Sequence, residues 1–211
     1  MARSGPARWL CALPVLALLA GCAGVLGRGG TPPLREPGFR ASMVRRPAVL
    51  VRVSVSDAFS DREQSRIPED YQAVLVEDLE RLGILVVDLA VAPGGRGRPL
   101  DGLDRAGALG RARQAGAEHL VIVDASLSRG NLSHCRQAGK AVSGLTTFWD
   151  AGIEVIQVSD GRPLYIEPPG EDLRVVDVEL DCKTGRLIRR KSMDELIGDS
   201  TARVVAPFAA R

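Results

Sequence analysis

The residues able to do covalent or metal chemistry are few. Four cysteines (Cys11, Cys22, Cys135 and Cys182) and two histidines (His119 and His134) stand among 211 residues. A thiol becomes a nucleophile when a base takes its proton and a third group orients that base. His134 precedes Cys135 directly, and neighbours on an extended chain point apart, so the pair does not read as nucleophile and base. Zinc would need short-spaced ligand pairs such as Cys-x2-Cys. Positions 119, 134, 135 and 182 lack that spacing, and His119, at the start of an apolar run, reads as a partly buried structural histidine.

Carboxylates offer the other chemistry. Asp57 and Asp61 follow the first strand-like run, and Asp88 and Asp124 sit inside the next two. Gathered at the carboxyl edge of a parallel sheet, where α/β ligand sites form, they would make a metal-dependent hydrolase. This is the alternative reading, weakened by the absence of a D-x-D pair or a neighbouring base. APGGRGRP at 92–99 lacks both the GK[ST] ending and the G-x-G-x-x-G spacing of phosphate loops, and AGK at 138–140 fails the same test. The sequence therefore names no catalytic residue, no metal site and no cofactor.

The elements that would position these groups follow a simple order. Val49, Val51, Val53 and Val55 alternate with Arg52 and Ser54, a period of two and hence a strand. Tyr71, Val74, Leu75, Leu79 and Leu82 recur at helical spacing, with Pro68 expected in the first turn and Gly83 as the stop. Residues 84–91 read as a second strand, buried on both faces. Asp101 or Asp104 caps a second helix with Leu103, Ala106, Leu109 and Ala112 on one side, ending at Gly116, and 119–127 is the third strand. This β-α-β-α-β order predicts parallel pairing.

Beyond Leu127 the stretch 128–148 is polar and aperiodic, and it reads as irregular. Two segments, 153–165 and 173–188, each run strand, Gly-Arg turn, strand, and read as β-hairpins. Ser192 and Glu195 form a capping box for a last helix carrying Ile197, Thr201, Val204 and Phe208, which Pro207 should fray or end. The expected fold is α/β (α+β): a β-α-β-α-β half, two β-hairpins and a C-terminal helix, as a three-layer or two-layer sandwich around one mixed sheet.

The amino terminus carries the most specific signal. Arg3 and Arg8 precede an apolar run from Trp9 to Ala20, the anatomy of a secretory signal and too short for a membrane span. Leu19-Ala20-Gly21-Cys22 resembles the lipobox of bacterial lipoproteins. The resemblance implies cleavage between Gly21 and Cys22, acylation of Cys22, and a membrane held as partner through that anchor. Ala23 stands where inner-membrane retention signals of such proteins show Asp, so the resemblance implies the outer membrane, periplasmic side. One acyl chain holds only marginally and several hold stably.

Domain boundaries follow: a signal over 1–21, the lipidated cysteine with a Gly- and Pro-rich tether over 22–46, and one α/β periplasmic domain over 47–211. Of 28 Lys and Arg residues, Arg3 and Arg8 leave with the signal, which leaves the rest matching the 26 Asp and Glu. A net charge of zero predicts no nucleic-acid partner. With Cys11 removed and Cys22 lipidated, Cys135 and Cys182 remain as an even pair in an oxidising compartment and are expected to be bridged, pinning 128–148 onto the sheet.

The lipobox, the β-α-β-α-β half, a hairpin written V-D-V-E-L-D-C-K-T-G-R-L-I (Val176 to Ile188) and a last helix together resemble envelope lipoproteins related to the curli-secretion lipoprotein and to activator B of penicillin-binding proteins. The resemblance implies a non-enzymatic module that binds another envelope protein. Two departures stand out: no long pair of membrane-inserting strands is legible, and the hairpin at 153–165 has no clear counterpart. Within the expected loop 128–148 and just beyond it, Phe148 and Trp149 are the candidate docking side chains, since aromatic residues are enriched at interface hot spots.

Overall fold

The computed structural model describes residues 33–88, 104–135, 139, 141–170 and 172–209. Cys22, the signal and the 92–99 loop lie outside the described residues, as do Asp101, Leu103, Ala138 and Lys140.

β2 (Pro47–Val55) and β4 (His119–His134) pair in parallel from Pro47 opposite His119 to Val55 opposite Leu127. β3 (Val87–Asp88) lies parallel on the outer side of β2. The chain then turns back. β5 (Val142–Gln157) runs antiparallel to β4 along its whole length, β6 (Pro163–Glu167) is antiparallel to β5, and β1 (Leu34–Arg35) is antiparallel to β6. The sheet order is β1-β6-β5-β4-β2-β3, with β7 (Val175–Val176) added to β5. β8 (Val178–Asp181) and β9 (Arg186–Arg190) form a separate two-stranded sheet.

Alternation in the strands makes two cores. Val49, Val51, Val121, Val123, Trp149, Ile153 and Val155 meet α1 (Asp61–Arg81) and α3 (Met193–Ala209), whose Tyr71, Leu75, Leu79, Leu196, Ile197 and Val204 are buried at helical spacing. On the other face Ala48, Leu50, Leu120, Ile122 and Ile156 meet Ala108, Leu109 and Ala112 of α2 (Arg105–Gln114). The mixed α/β class is as expected. Both expected layerings occur in one molecule, because α2 has ten residues, about 15 Å, against about 53 Å of β4. There are three layers under α2 and two beyond it.

Several boundaries differ from the sequence reading. Residues 34–46, assigned on composition to the tether, belong to the folded unit. Leu34 and Arg35 pair with Ile166 and Tyr165, Phe39 stacks on Tyr165 at 6.1 Å, and Ala41 and Val44 are buried. Isolated apolar residues at 39, 41 and 44 have no period to betray them, yet they fill the end of the larger core. α1 starts two turns before Pro68, at a capping box in which Ser60 accepts the Glu63 N–H and the Glu63 carboxylate accepts the Ser60 N–H at 2.9 Å. Pro68 lies inside the helix and removes one ladder donor there.

Residues 128–134 and 142–148, read as irregular, are the outer half of the β4/β5 hairpin. Cross-strand pairing supplies the order that their polar, Gly-containing sequence does not advertise. The hairpin expected at 153–165 forms around Gly161; the one expected at 173–188 forms around Gly185 but runs from Val178 to Arg190, while Val175 and Val176 pair with β5, and both glycines are in the left-handed region that glycine tolerates. The Ser192–Glu195 capping box also forms, and α3 continues past Pro207 to Ala209. Cys135 and Cys182 are joined in a disulfide with their Cα atoms 5.3 Å apart.

Candidate functional site

Three strands in register build the site. On the α2 face, β2, β4 and β5 align Ala48 with Leu120 and Ile156, then Leu50 with Ile122 and Glu154. The next two rows are polar: Arg52 with Asp124 and Gly152, then Ser54 with Ser126 and Asp150. The change from apolar to polar falls where α2 stops covering the sheet. The result is an open trough of about 480 Å³ lined by Arg52, Ser54, Asp124, Ser126, Asp150 and Pro169.

One wall depends on a glycine. A Cβ on Gly152 would lie 2.5 Å from the Pro169 ring and 2.7 Å from its backbone nitrogen. No side chain fits there, so Gly152 is what lets the Pro168–Gly170 segment cross the sheet and close the trough.

The floor is charged and internally neutral. Arg52 donates through Nε and Nη2 to Asp124 at 2.5 and 2.6 Å, a two-pronged pair with both side chains nearly half exposed. The Asp124 hydrogen bonds push Arg52 above its ordinary pKa, against the opposing effect of partial burial, so the guanidinium stays charged. Arg174 donates through Nε to Asp150 at 2.7 Å, and its guanidinium lies 5.3 Å from the Phe148 ring centre. Two guanidinium groups, two carboxylates and two hydroxyls make a surface rich in hydrogen-bonding groups. Ser126 stands directly opposite Asp150 and beside Ser54 in the same row, so the trough sets hydroxyls, carboxylates and guanidinium groups side by side.

The expected carboxylate cluster does not assemble. Asp124 is in mid-strand against Arg52, and Asp57 and Asp61 lie beyond the end of β2. Asp88 stands opposite Val49, six residues or about 20 Å of strand from Val55. No group of three or more His, Cys, Asp or Glu among the described residues is placed to hold a metal. The four aspartates of the hydrolase alternative are therefore not gathered at one edge: Asp88 is level with the start of β2, Asp124 is in mid-strand, and Asp57 and Asp61 lie beyond the other end of β2.

The remaining sequence candidates separate in the same way. Cys135 is consumed in the disulfide, and His134 Nε2 sits 2.9 Å from Thr146 Oγ1. His119 is buried, with Nδ1 lacking a partner among the described residues, and burial lowers its pKa. Trp149 is corrected as a docking residue. It is fully buried, stacked on Tyr71 with ring centres 4.7 Å apart, because adjacent strand residues face opposite sides of the sheet. Phe148 faces the trough side, beneath Arg174. Sequence reasoning missed Arg52, Asp150 and Arg174 as members of one site and named Asp124 only as part of the carboxylate set. The polar alternates of β2 were legible, but their cross-strand partners were not.

No family model matches this chain, and no curated protein matches it in sequence. Among solved structures, it is similar to the PelC dodecamer subunit from Paraburkholderia phytofirmans at 14% identity, over 86% of this chain and 99% of that one, with a TM-score of 0.43. Lipoprotein GNA1162 from Neisseria meningitidis is similar at 12% identity over 79% of this chain and 99% of that one, with a TM-score of 0.44. The C-terminal domain of LpoB from Salmonella enterica is similar at 17% identity over 62% and 83%, with a TM-score of 0.32. At that similarity none of them assigns a role to this chain. Among the described residues no helix is long and apolar enough to cross a membrane.

Proposed function

We propose that this chain is a lipid-anchored envelope protein, held through Cys22 on the periplasmic side of the outer membrane, which docks another envelope protein without catalysing a reaction. The Leu19-Ala20-Gly21-Cys22 sequence supports the anchor, and Ala23 supports the outer membrane. The Cys135–Cys182 bridge fits an oxidising compartment.

The observation that carries the docking role is the uncovered polar end of the α2 face. Its wall is fixed by Pro169 on Gly152, and its charges are mutually neutralised by short ion pairs. Interfaces of this kind gain specificity from arginine-rich hydrogen bonding held on rigid elements.

Two measurements test the two parts. Metabolic labelling with a fatty acid should mark the wild-type chain and leave Cys22→Ser unmarked; equal labelling of both removes the anchor. A photoreactive residue at Ser126, introduced into the chain in its native envelope, should yield one defined protein adduct that Arg52→Glu abolishes. A pattern of adducts indistinguishable from that of a probe at exposed Glu80 would end the docking role of the trough.

A further inference from the structure

The chain finishes one side of the β4/β5 arm and leaves the other side open. β2 ends at Val55, where the Ser56 N–H donates to the Leu127 carbonyl at 3.0 Å, and the chain then turns away with the Phe59 N–H on the Ser56 carbonyl at 3.1 Å. β4 runs on to His134, paired with β5 alone. From Ser128 to His134 that is about 24 Å of strand. On the opposite side of the arm, β5 is closed by β7, by Asp177 on Thr147 and by Arg190 on the Leu145 carbonyl.

Backbone alternation identifies the open groups. A strand residue turns its N–H and C=O to one neighbour, and the next residue turns them to the other. Leu127 gives its carbonyl to the β2 side, so Arg129, Asn131 and Ser133 present their N–H and C=O to that side too, where no strand follows among the described residues. Thr147, opposite Arg129, agrees: its N–H and carbonyl point away from β4, to Asp177. Three donors and three acceptors therefore stand about 7 Å apart along one edge. Arg129 and Asn131 are exposed and Ser133 is half-buried. The stretch 128–134 holds no Pro and no Lys, the residues that blunt sheet edges. Its fixed charge is Arg129, whose guanidinium lies 4.7 Å from the Phe59 ring centre.

We infer that this edge of β4 pairs antiparallel with the same edge of a second copy of the chain, about a twofold axis at Asn131, so that the two sheets become one.

The edge is complementary to itself. With Asn131 opposite Asn131 of the second copy, Arg129 falls opposite Ser133 and Ser133 opposite Arg129, and each facing pair exchanges both N–H···O bonds. All six open groups are used, and no like charges face each other across the pair. The residues between them fit as well. Leu132 of each copy falls opposite Gly130 of the other, on the face that carries Phe148, and in the closer kind of pair. A Cβ on Gly130 would lie 3.6 Å from the Phe148 ring, so the glycine leaves an aliphatic side chain room to lie across it onto that ring. The twofold makes this contact twice. An unrelated strand could take the hydrogen bonds, but the matched register and the paired Leu132–Gly130 contacts come from the chain's own sequence.

Two measurements on the full-length chain test this. In isolated envelopes under mild oxidation, Asn131→Cys should give a dimer joined from position 131 to position 131, with about tenfold more product than Ser133→Cys. Facing residues of a hydrogen-bonded pair have Cα atoms about 5.5 Å apart, which suits a disulfide, whereas the two Ser133 residues would be offset by about 14 Å of strand. In detergent solution the wild-type chain should sediment as a dimer and Asn131→Pro as a monomer, because proline at a free edge removes an N–H that nothing uses among the described residues. Alkylation of the Cys135–Cys182 bridge reports whether the proline variant has folded; if it has not, the two cysteine variants decide alone. A monomeric wild-type chain, equal product from Asn131→Cys and Ser133→Cys, a dimer that survives Asn131→Pro in a folded chain, or linkage of position 131 to a different protein would each overturn the inference. None of these outcomes depends on the trough or on Cys22, so they leave the docking proposal and the anchor where they stand.

Discussion

Asp177 and Arg190 together finish the free edge of β5. Arg190 Nη1 donates to Asp177 Oδ2 at 2.7 Å, while Asp177 Oδ1 accepts the Thr147 N–H at 3.0 Å and the Asp177 N–H donates to the Thr147 carbonyl at 2.8 Å. The carboxylate is buried and serves as both ladder acceptor and counter-ion. Asp177→Ala strands the Thr147 N–H and should cost about 2–3 kcal/mol, whereas Asp177→Asn keeps an acceptor and should cost about 1 kcal/mol. Urea unfolding under oxidising conditions measures both, and equal costs would deny the edge-closing role.

Gly152 tests the trough wall. Gly152→Ala drives a methyl group into the Pro169 backbone and should destabilise the fold by about 1–3 kcal/mol. Adding Pro169→Gly removes the ring though not the backbone nitrogen, so it should recover only part of the loss. Full additivity in a double-mutant cycle would show that the two residues are not in contact.

His119 sets a pH dependence. Burial lowers its pKa in the fold, with Glu118 acting weakly the other way, so the folded chain holds it neutral while the unfolded chain takes a proton near about 6.5. Its contribution is present above that value and is lost as pH falls towards the depressed folded pKa. His119→Gln should flatten the stability profile just below about pH 6.5. The next loss comes lower, because Arg189 and the Ser192 N–H hold Glu195 down to about 2, so its contribution disappears only below about 4.5. A profile that keeps its upper slope in His119→Gln would assign that slope elsewhere.

Trp149 should behave as a core residue. Trp149→Ala should cost about 3–5 kcal/mol. Trp149→Phe should cost less than the lost volume suggests, because the buried Nε1–H has no partner among the described residues and its removal relieves about 1 kcal/mol or more. Thermal unfolding of the two variants decides this, and a Phe variant as damaged as the Ala one would contradict it.

The disulfide should carry a sizeable share of stability. The bridged cysteines are 47 residues apart, a closed loop worth about 4 kcal/mol by chain entropy. Alkylation without reductant should label neither thiol, and Cys135→Ser/Cys182→Ser should unfold at clearly lower denaturant. Full labelling of the native chain would mean that the bridge is not formed.

What the chain determines locally was legible from it. Valine alternation in β2, the Ser192–Glu195 box, the Gly161 and Gly185 turns and the even pair of cysteines each depend on neighbours within a few residues or on a count, and each appears in the structure. Tertiary structure decided everything that depends on register. Ser128 to His134 become strand only because Val142 to Phe148 lie opposite, and Phe39 and Val44 join the core only because a space at the sheet end needs filling. The trough is the sharpest case. Arg52 meets Asp124 across a separation of 72 residues, and a slip of one position between their strands would put the two on opposite faces of the sheet. Side-chain alternation is written into each strand separately, but which strand lies beside which, and where a ten-residue helix stops covering them, is fixed only when the layers pack.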